Sequence, residues 1–235
     1  ELGLEVLAIF SMGLTLTMAP MSIVASSTSM FFVPRLAAVQ NDSSRFRQLA
    51  RATMQASLLS GLLLVYAVAL FGEELVDLLL GEKYAKLADL LIIFAIWRAI
   101  AVSKSGCSQV ATSKAKTGIQ LTSNLARIMA LPLAWYFASQ GYGVALIALI
   151  AAAGELCALS IMVILVHRRV EVPLRHSLPA LIITLVAILL LTADHFFDWT
   201  EDLIIPLRVL IFMAVLAIPL ILMRDLTRPI LRRLF

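Results

Sequence analysis

Charge is scarce in this sequence. Asp, Glu, Lys and Arg together make up 14% of its 235 residues, against 61% apolar residues and a mean hydropathy of +0.97. A soluble domain of this size has too little polar surface to cover so much apolar area. Cysteine is nearly absent as well: Cys107 and Cys157 both fall inside apolar stretches, which predicts two buried thiols and no structural disulfide. Histidine occurs only at 167, 176 and 195, bordering loops, with no spacing suited to a metal ion. No paired carboxylates and no nucleophile–base set stand at useful spacing, so the expectation is no catalysis, no cofactor and no metal. The net charge of +4 comes from basic residues dispersed over separate loops, unlike the single patch of a nucleic-acid-binding protein. Residue 1 is Glu and no basic segment precedes the first apolar run. No cleaved signal peptide is legible, and the chain is expected to be part of something longer.

What the chain does have is a series of apolar runs near the length of about 20 residues needed to cross a bilayer. They predict an all-α, polytopic membrane helical bundle of about seven transmembrane helices. The expected spans are Leu4–Phe32, Thr53–Phe71, Leu87–Thr112, Gly118–Phe137, Gly143–Val166, Leu178–Leu191 and Leu203–Met223. Pro20 is expected to kink the first span by removing a helical hydrogen bond. The connection 72–89 is long for a hairpin, and Leu75, Leu78 and Leu79 share a face, which predicts a short interfacial helix bounded by Gly72 and Gly81. Trp199 reads as an interfacial belt residue. Residues 1–169 form one unit of five spans; residues 170–235 add two spans with almost no polar residues, read as peripheral, and a basic tail.

The few charges are sorted by loop. Arg35, Arg45, Arg47, Arg51, Lys114, Lys116, Arg168, Arg169, Arg175 and the tail arginines 224, 228, 232 and 233 fall on one side of the threading. Glu73, Glu74, Asp77, Glu82, Asp194, Asp198, Glu201 and Asp202 fall on the other, opposed only by Lys83 and Lys86. Basic loops stay cytoplasmic and face anionic lipid headgroups, so the expectation is a multi-pass protein of the cell (inner) membrane, N-terminus outside and C-terminus cytoplasmic.

Within the spans, polar residues recur at helical spacing. Ser11, Thr15, Ser22, Ser26 and Ser29 lie near one stripe of the first; Arg98, Ser105, Ser108 and Thr112 mark the third; Gln120, Ser123, Asn124 and Arg127 mark the fourth. Each such stripe is expected to turn inward, toward water or a partner. Arg98, Lys104, Arg127 and Glu155 are the intramembrane charges, and a central Arg or Lys costs about 2.5–3.5 kcal/mol on insertion scales. Arg98 stands roughly 16 Å into its span, near the midplane. Two readings stay open. An Arg–Glu155 ion pair would only lock helices together; alternatively, three cations against one carboxylate would leave positive charge for an anionic substrate. Glu155 itself, on a face with Ala148, Ala151, Ala152 and Ala158, is either a helix-pairing group or a protonatable ion-coupling site.

Three stretches carry a resemblance: Phe32-Val33-Pro34-Arg35-Leu36 ending the Ser-rich first span, Leu70-Phe71-Gly72-Glu73-Glu74 leading to Leu80-Gly81-Glu82-Lys83-Tyr84-Ala85, and Gln140-Gly141-Tyr142-Gly143-Val144-Ala145. In order and placement the chain resembles the C-terminal half of polysaccharide flippases in the multidrug/oligosaccharidyl-lipid/polysaccharide exporter superfamily. The resemblance covers residues 4–169. It implies one lobe of a two-lobe transporter whose N-terminal lobe is missing from this chain. It also implies flipping or export of a lipid-linked oligosaccharide, carried on a polyprenyl pyrophosphate, across the bacterial cytoplasmic membrane. Arg98, Lys104 and Arg127 would then attract the anionic headgroup, while Gln120 and Asn124 would contact sugar or water. A drug or metabolite exporter of the same architecture and a non-transporting membrane component of polysaccharide assembly are the alternatives.

Overall fold

A computed structural model describes residues 4–81, 84, 86–173, 178–197 and 205–223. The described residues form eight helices and no strand: α1 (Leu4–Ala38), α2 (Ser43–Leu80), α3 (Lys86–Ser113), α4 (Gly118–Ile128), α5 (Ala130–Ser139), α6 (Val144–Val170), α7 (Leu178–Phe197) and α8 (Ile205–Leu222). Among them, Ala8–Ala38, Ser43–Leu80, Leu90–Ser113 and Val144–Val170 are long and apolar enough to cross a membrane, and Leu178–Ala193 is a shorter apolar helix. The chain is an all-α membrane helical bundle. Trp199, the charges Glu82, Lys83, Arg175, Asp198, Glu201 and Asp202, the start of the last expected span at Leu203, and the tail arginines lie outside the described residues.

Several boundaries differ from the sequence expectation, among them the start of α2, which lies at Ser43 rather than Thr53, and the end of α7, at Phe197 rather than Leu191. α1 runs on to Ala38 as one helix that contains both Pro20 and Pro34. No separate interfacial helix follows the second span: α2 continues without a break through Gly72 to Leu80. A single helical glycine costs only about 1 kcal/mol, and Gly72 is buried, with space for contact against Val68 and Leu91. Leu75, Leu78 and Leu79 do share an outward face, while Val76 on the opposite side is buried. α2 is closed at its start by Asp42, whose carboxylate accepts from the Ser44 and Arg45 amides at 3.1 Å. It ends at Gly81, which adopts φ +78° and donates its N–H to Asp77.

The fourth span is divided at Met129 into α4 and α5. Pro132 supplies the cause: it has no N–H for the Ile128 carbonyl, and its ring crowds that same group.

α3 is the central helix, packed against α1, α2 and α6. Its Leu87, Leu91, Ile92, Phe94, Ala99, Val110 and Ala111 are almost completely enclosed. Close approach to α2 depends on two glycines. A Cβ on Gly61 would fall 2.7 Å from the Ala99 carbonyl oxygen, and one on Gly106 would fall 2.7 Å from Ser57 Oγ. α7 packs on α2 through a face bearing Ala180, Thr184, Ala187 and Ile188, leaving Ile182, Val186 and Leu189 outward, and α8 packs on α7.

The sorted charges gather at the two ends of the bundle. Lys114 beyond α3 donates to the Gln40 carbonyl beyond α1 and lies 4.4 Å from the Phe46 ring of α2; Lys116 donates to the Arg169 carbonyl of α6. These contacts put the basic ends of α1, α2, α3 and α6 side by side.

Candidate functional site

The intramembrane charges converge from three helices. α3 carries Arg98 and Lys104, α4 carries Arg127, and α6 carries Glu155. Lys104 Nζ donates to Glu155 Oε2 at 2.6 Å, and Arg127 Nη1 donates to Glu155 Oε1 at 3.0 Å. One carboxylate thus holds two cations, one on each oxygen. The Glu155 side chain is 3% exposed and that of Lys104 11%, whereas Arg127 remains 49% exposed. A buried carboxylate needs such partners, because an unpaired charge in a low-dielectric interior is far costlier than a paired one.

Arg98 lies within electrostatic reach of both Glu155 and Arg127. It is half-buried, its guanidinium carbon 4.8 Å from the Trp97 ring centroid. Its buried Nε has no hydrogen-bond partner among the described residues. Three cations and one carboxylate therefore share this part of the bundle, and two N–H-rich groups retain donor capacity.

Backbone proximity makes the cluster possible. Gly154, next to Glu155, lets the α4–α5 junction press against α6; a Cβ there would sit 2.7 Å from the Ala130 Cβ and 3.4 Å from the Arg127 carbonyl oxygen. Buried Ser123 of α4 donates to the Ala158 carbonyl of α6 at 2.9 Å, one more tie across the same contact. The Pro132 break lies at this point of closest approach, a signal present in the sequence that pattern reading passed over.

The polar candidates divide. Gln120 is engaged between helices, its Nε2 donating to Ser108 Oγ and, at 3.2 Å, to Thr112 Oγ1 of α3. Asn124 is half-buried and its side chain has no hydrogen-bond partner among the described residues. The serine stripe of α1 faces the other way from expectation: Ser11, Thr15, Ser22 and Ser26 are exposed, and only Ser29 is partly covered. Thr17, Met21, Phe32 and Leu36 form the buried face of α1 and take the contact with the bundle, so the hydroxyl stripe is turned outward. Ser22 and Thr15 donate back to carbonyls of their own helix. An inter-helix link that pattern reading missed joins Gln109 Nε2 of α3 to Thr28 Oγ1 of α1 at 3.3 Å.

An apolar cleft of about 420 Å³ lies elsewhere, between α1 and α2, with Leu16, Met21, Leu64 and Val68 among its walls. Its two hydroxyls, Thr17 and Ser60, donate to their own helix backbones, so it offers little to a charged group. Among the described residues no His, Cys, Asp and Glu groups gather as a metal site. Cys107 is buried as expected, but Cys157 is exposed on the outer face of α6.

Residues 1–89, from α1 through the first turn of α3, match a family model described as polysaccharide biosynthesis protein. The chain is similar there to polysaccharide biosynthesis proteins. No curated protein and no solved structure matches the chain. The similarity and the long apolar helices together support a multi-pass membrane component of polysaccharide biosynthesis. Arg98, Lys104, Gln120, Asn124, Arg127 and Glu155 all lie beyond the matched stretch, so what they do rests on their own geometry.

Proposed function

We propose that this chain is one lobe of a transporter that flips or exports a lipid-linked oligosaccharide or polysaccharide repeat unit across the bacterial cytoplasmic membrane. The observation that carries the reading is the excess of cations at Glu155. Structural locking alone needs one cation per carboxylate; here Lys104 and Arg127 share the carboxylate and Arg98 stands close by. With all four ionised the cluster carries two uncompensated positive charges, which is expensive in a membrane unless an anion or water shares the site. A headgroup phosphate supplies oxygens for the exposed guanidinium of Arg127 and balances the charge of Arg98 close by. A polyprenyl pyrophosphate meets that requirement while its hydrocarbon tail stays in the bilayer. Asn124, with an unused amide, is placed on the same helix to meet sugar hydroxyls or water. Alternating access would need the second lobe, rocking against this one about the charged cluster.

The test is export by cells that depend on the full-length protein. Arg98→Ala and Arg127→Ala should each abolish surface polysaccharide while leaving membrane insertion and protein level unchanged. Full export by both variants would overturn the reading and leave the cluster as a helix lock in a non-transporting component.

A further inference from the structure

The donors that hold Glu155 are the same donors a phosphate would use. Lys104 Nζ and Arg127 Nη1 each point at one carboxylate oxygen, and charge-assisted N–H···O bonds of this kind serve carboxylates and phosphates alike. Glu155 and an anionic ligand therefore compete for one set of hydrogen bonds. We infer that Glu155 is the resident counter-ion of this anion site, replaced at Arg127 and Lys104 by a phosphate-class dianion and taking up a proton as that anion binds. This rests on the anion-binding reading above and specifies how the site is regulated.

Burial decides the direction of the exchange. Arg127 is half exposed while Glu155 is enclosed, so an anion arrives on the guanidinium side and meets Arg127 first. The carboxylate cannot follow its lost partners into water. Its backbone is fixed where Gly154 meets Ala130, and Ser123 ties the neighbouring turn of α6 to α4. Left ionised beside a bound dianion, it would be a buried charge facing like charge. Protonation removes that repulsion and turns one carboxylate oxygen into a donor toward the anion, the proton being drawn from the bulk buffer through the water that reaches the exposed side of Arg127.

The surrounding cations hold Glu155 ionised until the anion takes their hydrogen bonds, which ties its protonation to anion binding. Facing Glu155 are Lys104 and Arg98 from α3 and Arg127 from α4. α5, the other helix packed on α6, contributes no charged residue, only Tyr136 as a titratable group. On α6 itself the neighbouring titratable groups are Cys157, exposed, and His167, three turns further on. With Glu155 ionised the cluster's excess of two positive charges matches one dianion; with Glu155 protonated it is larger, and binding is tighter. Anion affinity and proton uptake are thereby linked.

The experiment is pyrophosphate binding to the full-length protein in lipid nanodiscs, followed by calorimetry between about pH 5.5 and about pH 8.5. Wild-type affinity should fall with rising pH relative to Glu155→Gln, by up to about tenfold per pH unit for one linked proton. At the alkaline end Glu155→Gln should bind more tightly than the wild type, and the difference should narrow toward the acid end. Comparing the two proteins cancels the probe's own titration. Runs in two buffers of different ionisation heat should count about one more proton taken up by the wild type. Glu155→Asp should keep the pH dependence. Equal pH dependence in wild type and Glu155→Gln overturns the inference while leaving the anion site standing. If Glu155→Gln does not fold, a wild-type proton count of zero, corrected for free pyrophosphate, overturns it equally. Absence of pyrophosphate binding by the wild type at every pH instead overturns the anion-site reading itself.

Discussion

Glu155 on α6 and Arg127 on α4 meet at 3.0 Å beside a glycine–alanine contact, Gly154 against Ala130, that leaves no room for another methyl group. The ion pair and the close backbone packing are one feature: the first requires the second. Lys104 closes the arrangement from α3, so three helices share one carboxylate.

Removing Glu155 alone should destabilise the bundle by about 3–5 kcal/mol, because the enclosed Lys104 is left uncompensated. Glu155→Ala is the sharpest case, since it strands Lys104, which is 11% exposed. The double change Lys104→Met with Glu155→Leu should recover much of that loss. Thermal unfolding in nanodiscs of Lys104→Met, Glu155→Leu and the pair measures the coupling.

Gly154→Val should force α4 and α5 away from α6. A Cβ at this position already falls 2.7 Å from Ala130, and a branched side chain adds to that. Overpacking of this kind costs about 1–3 kcal/mol. The specific readout is cysteine cross-linking between positions 123 and 158, which face each other across the helices through the Ser123–Ala158 hydrogen bond. Cross-linking should fall in the Gly154→Val background.

Pro132→Ala should join α4 and α5 into one helix. The new amide can donate to the Ile128 carbonyl, and the ring that crowds that carbonyl is gone. Hydrogen exchange should slow for amides around residues 129–133. Unchanged exchange there would mean that the contact with Gly154, rather than the proline, holds the break open.

The ends of the bundle should label from opposite sides of the membrane. In a background lacking Cys107 and Cys157, a cysteine at Lys116 or Arg45 is expected to react only from the cytoplasm. One at Glu74 is expected to react only from outside. The basis is the gathering of Lys114, Lys116 and Arg169 with the end of α1, at the end opposite Glu73, Glu74 and Asp77.

Much of the fold was legible because two signals in the sequence are local and strong. Apolar runs of span length announce helices, and the scarcity of charge makes each loop's sign visible. Helix ends were less legible, since a buried Gly72 and two prolines in α1 are tolerated by neighbours that local pattern does not reveal. At the candidate site, the residue types Arg98, Lys104, Arg127 and Glu155 stood out by their cost in a membrane. Which cation holds the carboxylate did not: the pairing expectation named an arginine, and Lys104 makes the shorter contact alongside Arg127.

By itself, the sequence determined the helical class, the approximate spans, the separation of basic and acidic loops, and the short list of costly intramembrane charges. Those follow from hydropathy and from one-dimensional spacing. Only the tertiary structure decided that Glu155 binds two cations at once, that Gln120 bridges to α3, and that the serines of α1 face outward. Such facts depend on how helices far apart in the chain rotate and approach one another. That rotation is set by where small residues such as Gly61, Gly106 and Gly154 allow backbones to touch.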